Sequence, residues 1–367
     1  MRAFSLGDFT DAQLRRLMSA IGLGDSADEV CAIVADLIGP AARRPLNAPP
    51  LWCSDVADDH TPIEYSIAFD EDGTPTLRLL VECVAQSPGP RTNMLAAVGA
   101  LDRLAGRLSL TLDKFDIVRD LFLPADPVGH FTMWYSIVVR PGSAPKVKIY
   151  FNPEVTGIAR ASRLVSEGLD RLGFTGSSDW LRAHSPRPGA AMDRYSFFAL
   201  DLDDSPKSRV KVYVSHLDAT IRDAQYAASA GRAVHGMDVI DLADFCDIAS
   251  GGDDTFGGRP LVSAYTFLSG DSAQPSGYSL YVPIRDYVSD DEAALHRVRR
   301  LMDRYGLDAS TLERAIGAVT SRPLAAGVGL IAHVSLRIGP PRPGVTVYLS
   351  AEAYGVAAPR PARVGAA

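Results

Sequence analysis

The residues best placed to do chemistry lie on short strands in which a basic residue stands two positions before a tyrosine. KVKIYF holds Lys148 and Tyr150, and RVKVYV holds Arg209, Lys211 and Tyr213. YSLYVP and VTVYLS put Tyr281 and Tyr348 at the same point, with Ser279 and Thr346 two residues earlier. The tyrosines are separated by 63, 68 and 67 residues, and a step of 70 back from Tyr150 reaches Leu80 in TLRLLVE, two residues after Arg78. Residues i and i+2 of a strand share a face, so each basic residue points the same way as its tyrosine. Cations gathered on one enclosed face repel one another unless an anion sits among them. Arginine forks and lysine point charges both suit phosphate oxygens. Tyrosine rings attract a cation within ~6 Å of the ring centroid. A diphosphate beside an aromatic cage is a site able to ionise an allylic diphosphate and shelter the carbocation. A lone K-x-Y strand reads as a half-solvated strand face; the period-matched set carries the functional reading.

Two further residues belong to this constellation. Arg337 in LIAHVSLRI joins the cations if the last hairpin keeps the same register. Glu64 is the one charged residue in the middle of PIEYSIAF. On an interior face it would accept a hydrogen bond from a substrate N–H, with Ile63 and Tyr65 turned outward.

The elements that position these residues recur along the chain. Strands are predicted at 62–69 with 76–84, 131–139 with 146–151, 194–202 with 209–214, 261–268 with 278–283, and 330–338 with 345–350. Gly, Pro, Asp or Ser stands in each intervening turn, a hairpin signal. Helices are predicted over 93–108, 153–172, 218–231, 290–306 and 309–321. Two more fill the first 40 residues, capped at Thr10-Asp11 and at Ser26. A fixed period means an array of one supersecondary unit. Five hairpins bury their faces most economically in one closed barrel, which leaves no sheet edge. The expectation is an α+β fold: a ten-stranded antiparallel barrel, roomy inside, with surrounding helices. Residues 1–356 form one domain and 357–367 a disordered tail.

Composition narrows the function classes. The 367 residues carry 44 acidic against 37 basic side chains, a net charge of −7, which argues against a general nucleic-acid binder. No apolar run is long enough for a membrane span, and MRAFSLGDFTDAQL has no signal-peptide pattern. Cys31, Cys53, Cys83 and Cys246 are too scattered for a zinc site or disulfide framework. The expectation is a cytoplasmic protein, a monomer or homodimer, with small-molecule substrates and neither nucleic-acid nor membrane partners. No metal site is predicted. The paired aspartates lack the third Asp of a DDxxD motif, so side-chain cations would replace Mg²⁺. Gly327-Val328-Gly329 followed by Ala332 mimics a dinucleotide fingerprint but has no βαβ unit around it.

PIEYS, LRLLVE, KIYFNPE, RVKVYV, SLYVPIRDY and VTVYLSAEAY together make residues 60–352 resemble the dimethylallyltryptophan synthase type of indole prenyltransferase. The resemblance implies the αββα prenyltransferase barrel of five repeats and transfer of a dimethylallyl group from its diphosphate to tryptophan, without metal or cofactor. It implies diphosphate binding by Arg78, Lys148, Arg209, Lys211 and Arg337, and a carbocation shield of Tyr150, Tyr213, Tyr281 and Tyr348. Glu64 would hold the indole N–H, Trp134 would line the acceptor or donor pocket, and Arg194 would take the amino-acid carboxylate. Ser279 stands where related fungal chains often carry Gln or Lys, which weakens one diphosphate contact. FTMWYSIVV lacks the lysine base of C4-prenylating relatives, which disfavours C4. With Glu64 as base, reverse transfer to indole N1 is favoured, with C6 or C7 next. A barrel acting on phenolic acceptors, a non-catalytic binder and a repeat scaffold are the competing readings.

Overall fold

The computed structural model describes residues 4–69, 74–185, 187, 189, 191–338 and 344–361. Two helices, α1 (Leu6–Ala20) and α2 (Ala27–Ile38), open the chain. The cap of α1 is earlier than predicted. Ser5 and Asp8 form a reciprocal capping box, whereas Thr10 lies inside the helix and bonds back to Gly7 O. Ser26 makes no side-chain cap, because residues 24–26 already turn as a short 3₁₀ segment.

Ten strands follow in five hairpins: β1 (Ile63–Phe69) with β2 (Thr76–Glu82), β3 (Met133–Val139) with β4 (Lys146–Phe151), and β5 (Asp193–Asp201) with β6 (Val210–His216). After the two-residue strands β7 (Ala219–Thr220) and β8 (Thr255–Phe256), which pair only with each other, come β9 (Leu261–Phe267) with β10 (Gly277–Val282) and β11 (Ile331–Ile338) with β12 (Gly344–Ser350). The five hairpins stand side by side in chain order, all antiparallel, and β1 pairs β12 to close the barrel. The predicted strands agree with these to within two residues at either end. Two of the predicted turns, around 70–73 and 339–343, lie outside the described residues.

Each strand is buried on both faces for different reasons. Outward residues such as Ile63, Tyr65, Ile67 and Ile149 pack under the helices, while Glu64, Ser66, Lys148 and Tyr150 turn into the lumen. The main core is the layer between barrel and helices. There Phe122 of α4 (Asp113–Phe122) stacks on Phe151 of β4 at 5.0 Å and Phe198 of β5 at 4.9 Å. Gly168 of α5 (Ala161–Arg171) lets that helix approach: a Cβ there would lie 3.3 Å from the Phe198 ring. Gln13 of α1 ties the outer layer together, accepting from the Tyr65 hydroxyl at 2.9 Å and donating to Val319 O and Ala351 O.

The helices depart more from expectation than the strands. The predicted 93–108 helix is α3 (Pro90–Ala105), and 153–172 shortens to a 3₁₀ turn and α5. Helix 218–231 becomes β7 and α7 (Ile221–Ala228). The predicted helices 290–306 and 309–321 are present as α9 (Asp291–Arg304) and α10 (Ser310–Val319). Helices α4, α6 (Ser177–Ala183) and α8 (Gly236–Ser250) were not predicted. The apolar residues of α8 are spread around its axis, so it shows no stripe to read. Part of the expected disordered tail, 357–361, lies within the described residues. Ala357 bridges Val328 and Arg360 bonds to Ser289 O and Arg285 O, so the chain is held through 360, while 362–367 lie outside the described residues. Among the described residues no helix is long and apolar enough to cross a membrane.

Candidate active site

The barrel encloses a cavity of about 370 Å³, in the range of small-molecule sites. The register brings the predicted residues together in steps along the lumen. One interior step holds Arg78 on β2, Lys148 on β4, Lys211 on β6 and Ser279 on β10, with Arg337 of β11 directly opposite Ser279. The next step on β4, β6, β10 and β12 is Tyr150, Tyr213, Tyr281 and Tyr348. Consecutive rings lie 5.7, 5.9 and 5.7 Å apart, a continuous aromatic belt. Beyond the belt, Glu64 pairs in register with Ser350, while Trp134 stands level with the belt, paired with Tyr150. Trp134 stacks on Phe131 at 4.0 Å and tilts against Phe197 at 5.6 Å.

The cationic end is electrostatically loaded. Burial and the nearby Lys211 charge hold the Lys148 ammonium well below its ordinary range, and burial lowers Lys211 as well. Lys148 Nζ donates to the Tyr213 hydroxyl at 3.0 Å and lies 4.4 Å from the Tyr150 ring centroid. Arg209, just before β6, is held by Asp201, with Nε 2.6 Å from Oδ2. Burial alone would raise Asp201; the Arg209 and Lys148 charges outweigh it and keep the carboxyl below its usual range. Burial would also raise Tyr281, yet Lys211 and Arg78 bring its hydroxyl below the ordinary value. This end is built to receive negative charge.

At the other end burial dominates. Glu64 is pushed up to about 8, partly offset by the Arg285 charge. His333, opposite Tyr348, is driven well below its ordinary value by burial and by Arg285 and Arg259, and so is neutral at pH 7. Glu82, beside Trp134 in register, is pushed up to about 7 by burial and accepts from the Ser54 hydroxyl at 2.5 Å. The indole N–H groups of Trp52 and Trp134 sit near enough to favour its charged form, though neither makes a hydrogen bond of good geometry.

Of the predicted site residues, only Arg194 does not line this cavity. Its guanidinium grips Glu154, with Nε–Oε1 at 3.0 Å and Nη2–Oε2 at 2.7 Å. It faces a separate cavity of about 330 Å³ beside α5, α6 and the outward residues Val214 and His216. The bulge between Tyr195 and Phe197 leaves Arg194 in register with the lumen residue Ser215, and it is the grip of Glu154 that draws its guanidinium away from the lumen. The residues missed were Asp55, Arg259 and His333, all lining the lumen cavity. Asp55 and Arg259 stand in loops without periodicity. His333 lies on a predicted strand, two residues before Ser335 on the face of Arg337, and that parity could have found it. Among the described residues, no three His, Cys, Asp or Glu side chains gather as a metal-ligand set.

The family described as tryptophan dimethylallyltransferase matches residues 27–314. A solved 6-dimethylallyl tryptophan synthase is 50% identical, covering 98% of this chain and 99% of its own, with a TM-score of 0.93. A 6-dimethylallyltryptophan synthase from Micromonospora olivasterospora, solved with DMASPP and Trp, is 51% identical over 97% of this chain and 99% of its own, at 0.92. A 5-dimethylallyltryptophan synthase from Streptomyces coelicolor is 38% identical over 97% and 100%, at 0.88. A cation cluster, an aromatic belt and a buried carboxylate in one closed barrel thus coincide with these similarities, and the chain belongs to the tryptophan dimethylallyltransferase family, as an aromatic prenyltransferase.

Proposed function

We infer that the protein transfers the dimethylallyl group of dimethylallyl diphosphate to carbon 6 of the tryptophan indole, without a metal. The observation that carries this is the order of groups along the lumen: cations, tyrosine belt, then Glu64. Arg78, Lys148, Arg209, Lys211 and Arg337 would stabilise the diphosphate as the C–O bond breaks and the oxygen keeps the electron pair. The belt of Tyr150, Tyr213, Tyr281 and Tyr348 faces the allyl cation and keeps water from it. Glu64, accepting the indole N–H, turns N1 away from the belt and the benzo edge toward it. A new C–C bond forms at the benzo edge, and loss of the ring proton restores aromaticity. Neutral His333 and the departing diphosphate are both able to accept that proton. The relatives named as 6-synthases support carbon 6.

Reverse transfer to N1, favoured on sequence grounds, keeps one support: Glu64 as a carboxylate beside the indole nitrogen. With its pKa pushed up to about 8, Glu64 is mostly protonated at neutral pH, so N1 deprotonation needs a less populated state. The test is incubation with tryptophan and dimethylallyl diphosphate in EDTA, with NMR of the product. A C6 adduct is expected. An N1 adduct replaces the site of attack while keeping the chemistry. Loss of all product in EDTA overturns metal independence.

A further inference from the structure

The second cavity, of about 330 Å³, takes no part in the chemistry proposed for the lumen. It lies outside the barrel wall, beside α5 and α6. The partition between the two spaces is β5 and β6: Tyr195, Val214 and His216 line the outer cavity, whereas Phe197, Tyr213 and Ser215 line the lumen. The volume is at the lower end of the range for small-molecule sites. Its floor is apolar, made by Ala161, Leu181, Val214 and the Tyr265 ring, and Ile158 adds an exposed apolar side chain to the lining.

Most polar groups of this cavity are already closed on one another. Glu154 is gripped by Arg194. Asp193 Oδ1 lies 2.7 Å from His216 Nδ1, and Asp193 Oδ2 accepts from Ser185 Oγ at 2.5 Å and from Arg187 N at 2.9 Å. His216 Nε2 in turn lies 2.8 Å from Ser263 Oγ. Two groups are left for a ligand. The Tyr195 hydroxyl has no hydrogen-bond partner among the described residues. Arg182 meets only Asp179, three residues earlier on α6, at 3.0 Å, and that aspartate side chain is 81% exposed. A solvent-exposed pair of this kind is worth little, and the guanidinium keeps further N–H donors. The two groups are close enough to interact: the Arg182 charge favours the ionised form of Tyr195, against the rise that burial imposes. A hydroxyl donor and a guanidinium over an apolar floor suit a flat apolar body ending in a carboxylate. An ammonium finds no acceptor of its own, since both carboxylates are committed.

We propose that this outer cavity is a second binding site, for an aromatic monocarboxylate whose rings lie on the apolar floor and whose carboxylate is held by Arg182 and Tyr195. The site is independent of the reaction proposed for the lumen.

The test reads dissociation constants of naphthoate and of its uncharged amide by calorimetry, on the whole protein with inorganic diphosphate and tryptophan in saturating amounts. Naphthoate is expected to bind under these conditions, and more tightly than the amide. Ser162→Phe, at an exposed position of α5 that lines the cavity, fills the space and weakens both probes about ten-fold or more. Arg182→Gln weakens naphthoate by about ten-fold and leaves the amide within about two-fold, while Arg182→Lys keeps part of the difference. Tyr195→Phe also weakens naphthoate. The lumen variant Tyr213→Leu leaves both constants unchanged. Absence of naphthoate binding with diphosphate and tryptophan present, equal affinity for acid and amide, or a response to Tyr213→Leu without one to Ser162→Phe overturns the site.

Discussion

Lys148 donates to the Tyr213 hydroxyl at 3.0 Å, so the cation cluster and the aromatic belt are joined by a hydrogen bond. The same ammonium lies 4.4 Å from the Tyr150 ring centroid and 5.4 Å from that of Tyr213. The belt thus already has a protein cation against two of its faces. Its hydroxyl bond and ring contacts tie two of the four rings to one ammonium.

This arrangement predicts a proton cost to substrate binding. Burial depresses both lysines, and neighbouring cations add to it: Lys211 on Lys148, and Arg209 and Arg78 on Lys211. A diphosphate reverses that repulsion and restores their affinity for protons. Binding of inorganic diphosphate is expected to take up protons at mildly alkaline pH. Calorimetry in buffers of different ionisation enthalpy measures it; identical heats in all buffers would contradict it.

The belt is expected to act through its faces more than its hydroxyls. Tyr213→Phe keeps the face, so most activity should survive. Tyr213→Leu removes it, and cation–π attraction of ~0.5–2 kcal/mol corresponds to about a 2- to 30-fold effect. The readout is the ratio of prenylated product to dimethylallyl alcohol. An unchanged ratio in the Leu variant sinks the shielding role.

Glu64→Gln is expected to cut turnover of tryptophan severely. The variant also carries a stability signature. The folded-state pKa of Glu64 is about 8, above the 4.5 of a free carboxyl, so the folded state holds the extra proton between those values. Its contribution to stability is complete below 4.5 and falls as pH rises toward 8. Wild type should therefore lose stability relative to Glu64→Gln across that window, read as the difference in denaturant midpoints. Parallel pH profiles would remove the argument.

Glu82 is expected to fix the acceptor end. Its bond to Ser54 pins the loop that supplies Asp55 and Val56, and its carboxylate lies beside the Trp134 indole. Glu82→Ala leaves the buried Ser54 O–H donor without its acceptor and should cost about 1–3 kcal/mol, while Glu82→Gln keeps an acceptor. Positioning, as opposed to stability alone, is shown if the Ala variant broadens the spread of product regioisomers and the Gln variant does not.

Much of the site was legible because strand geometry is simple. Lys148 and Tyr150 two residues apart must share a face, and the repeat carried that parity around the barrel. Arg194 failed although its register partner Ser215 lines the lumen, because Glu154, in a loop whose approach no pattern announces, draws its guanidinium away. Asp55 and Arg259 were invisible for the same reason: loop side chains are aimed by partners such as Asp58 and Asp286, distant in sequence. The α1 cap was misplaced because Thr10-Asp11 was read as the start, whereas Ser5 and Asp8, three residues apart, form the capping box.

Chain order around the barrel has a consequence for biosynthesis. The seam that closes the wall joins β1 to β12, segments some 280 residues apart. While the chain emerges from the ribosome, β1 has β2 on one side and an open edge on the other. That edge waits for residues 344–350, which also bring Tyr348 and Ser350 beside Ser66 and Glu64. The pocket therefore cannot exist in any nascent fragment. A truncation before β12 should display an unpaired hydrophobic edge to chaperones, and a circular permutant joining the ends near β1 and β12 should make that seam the first hairpin instead of the last.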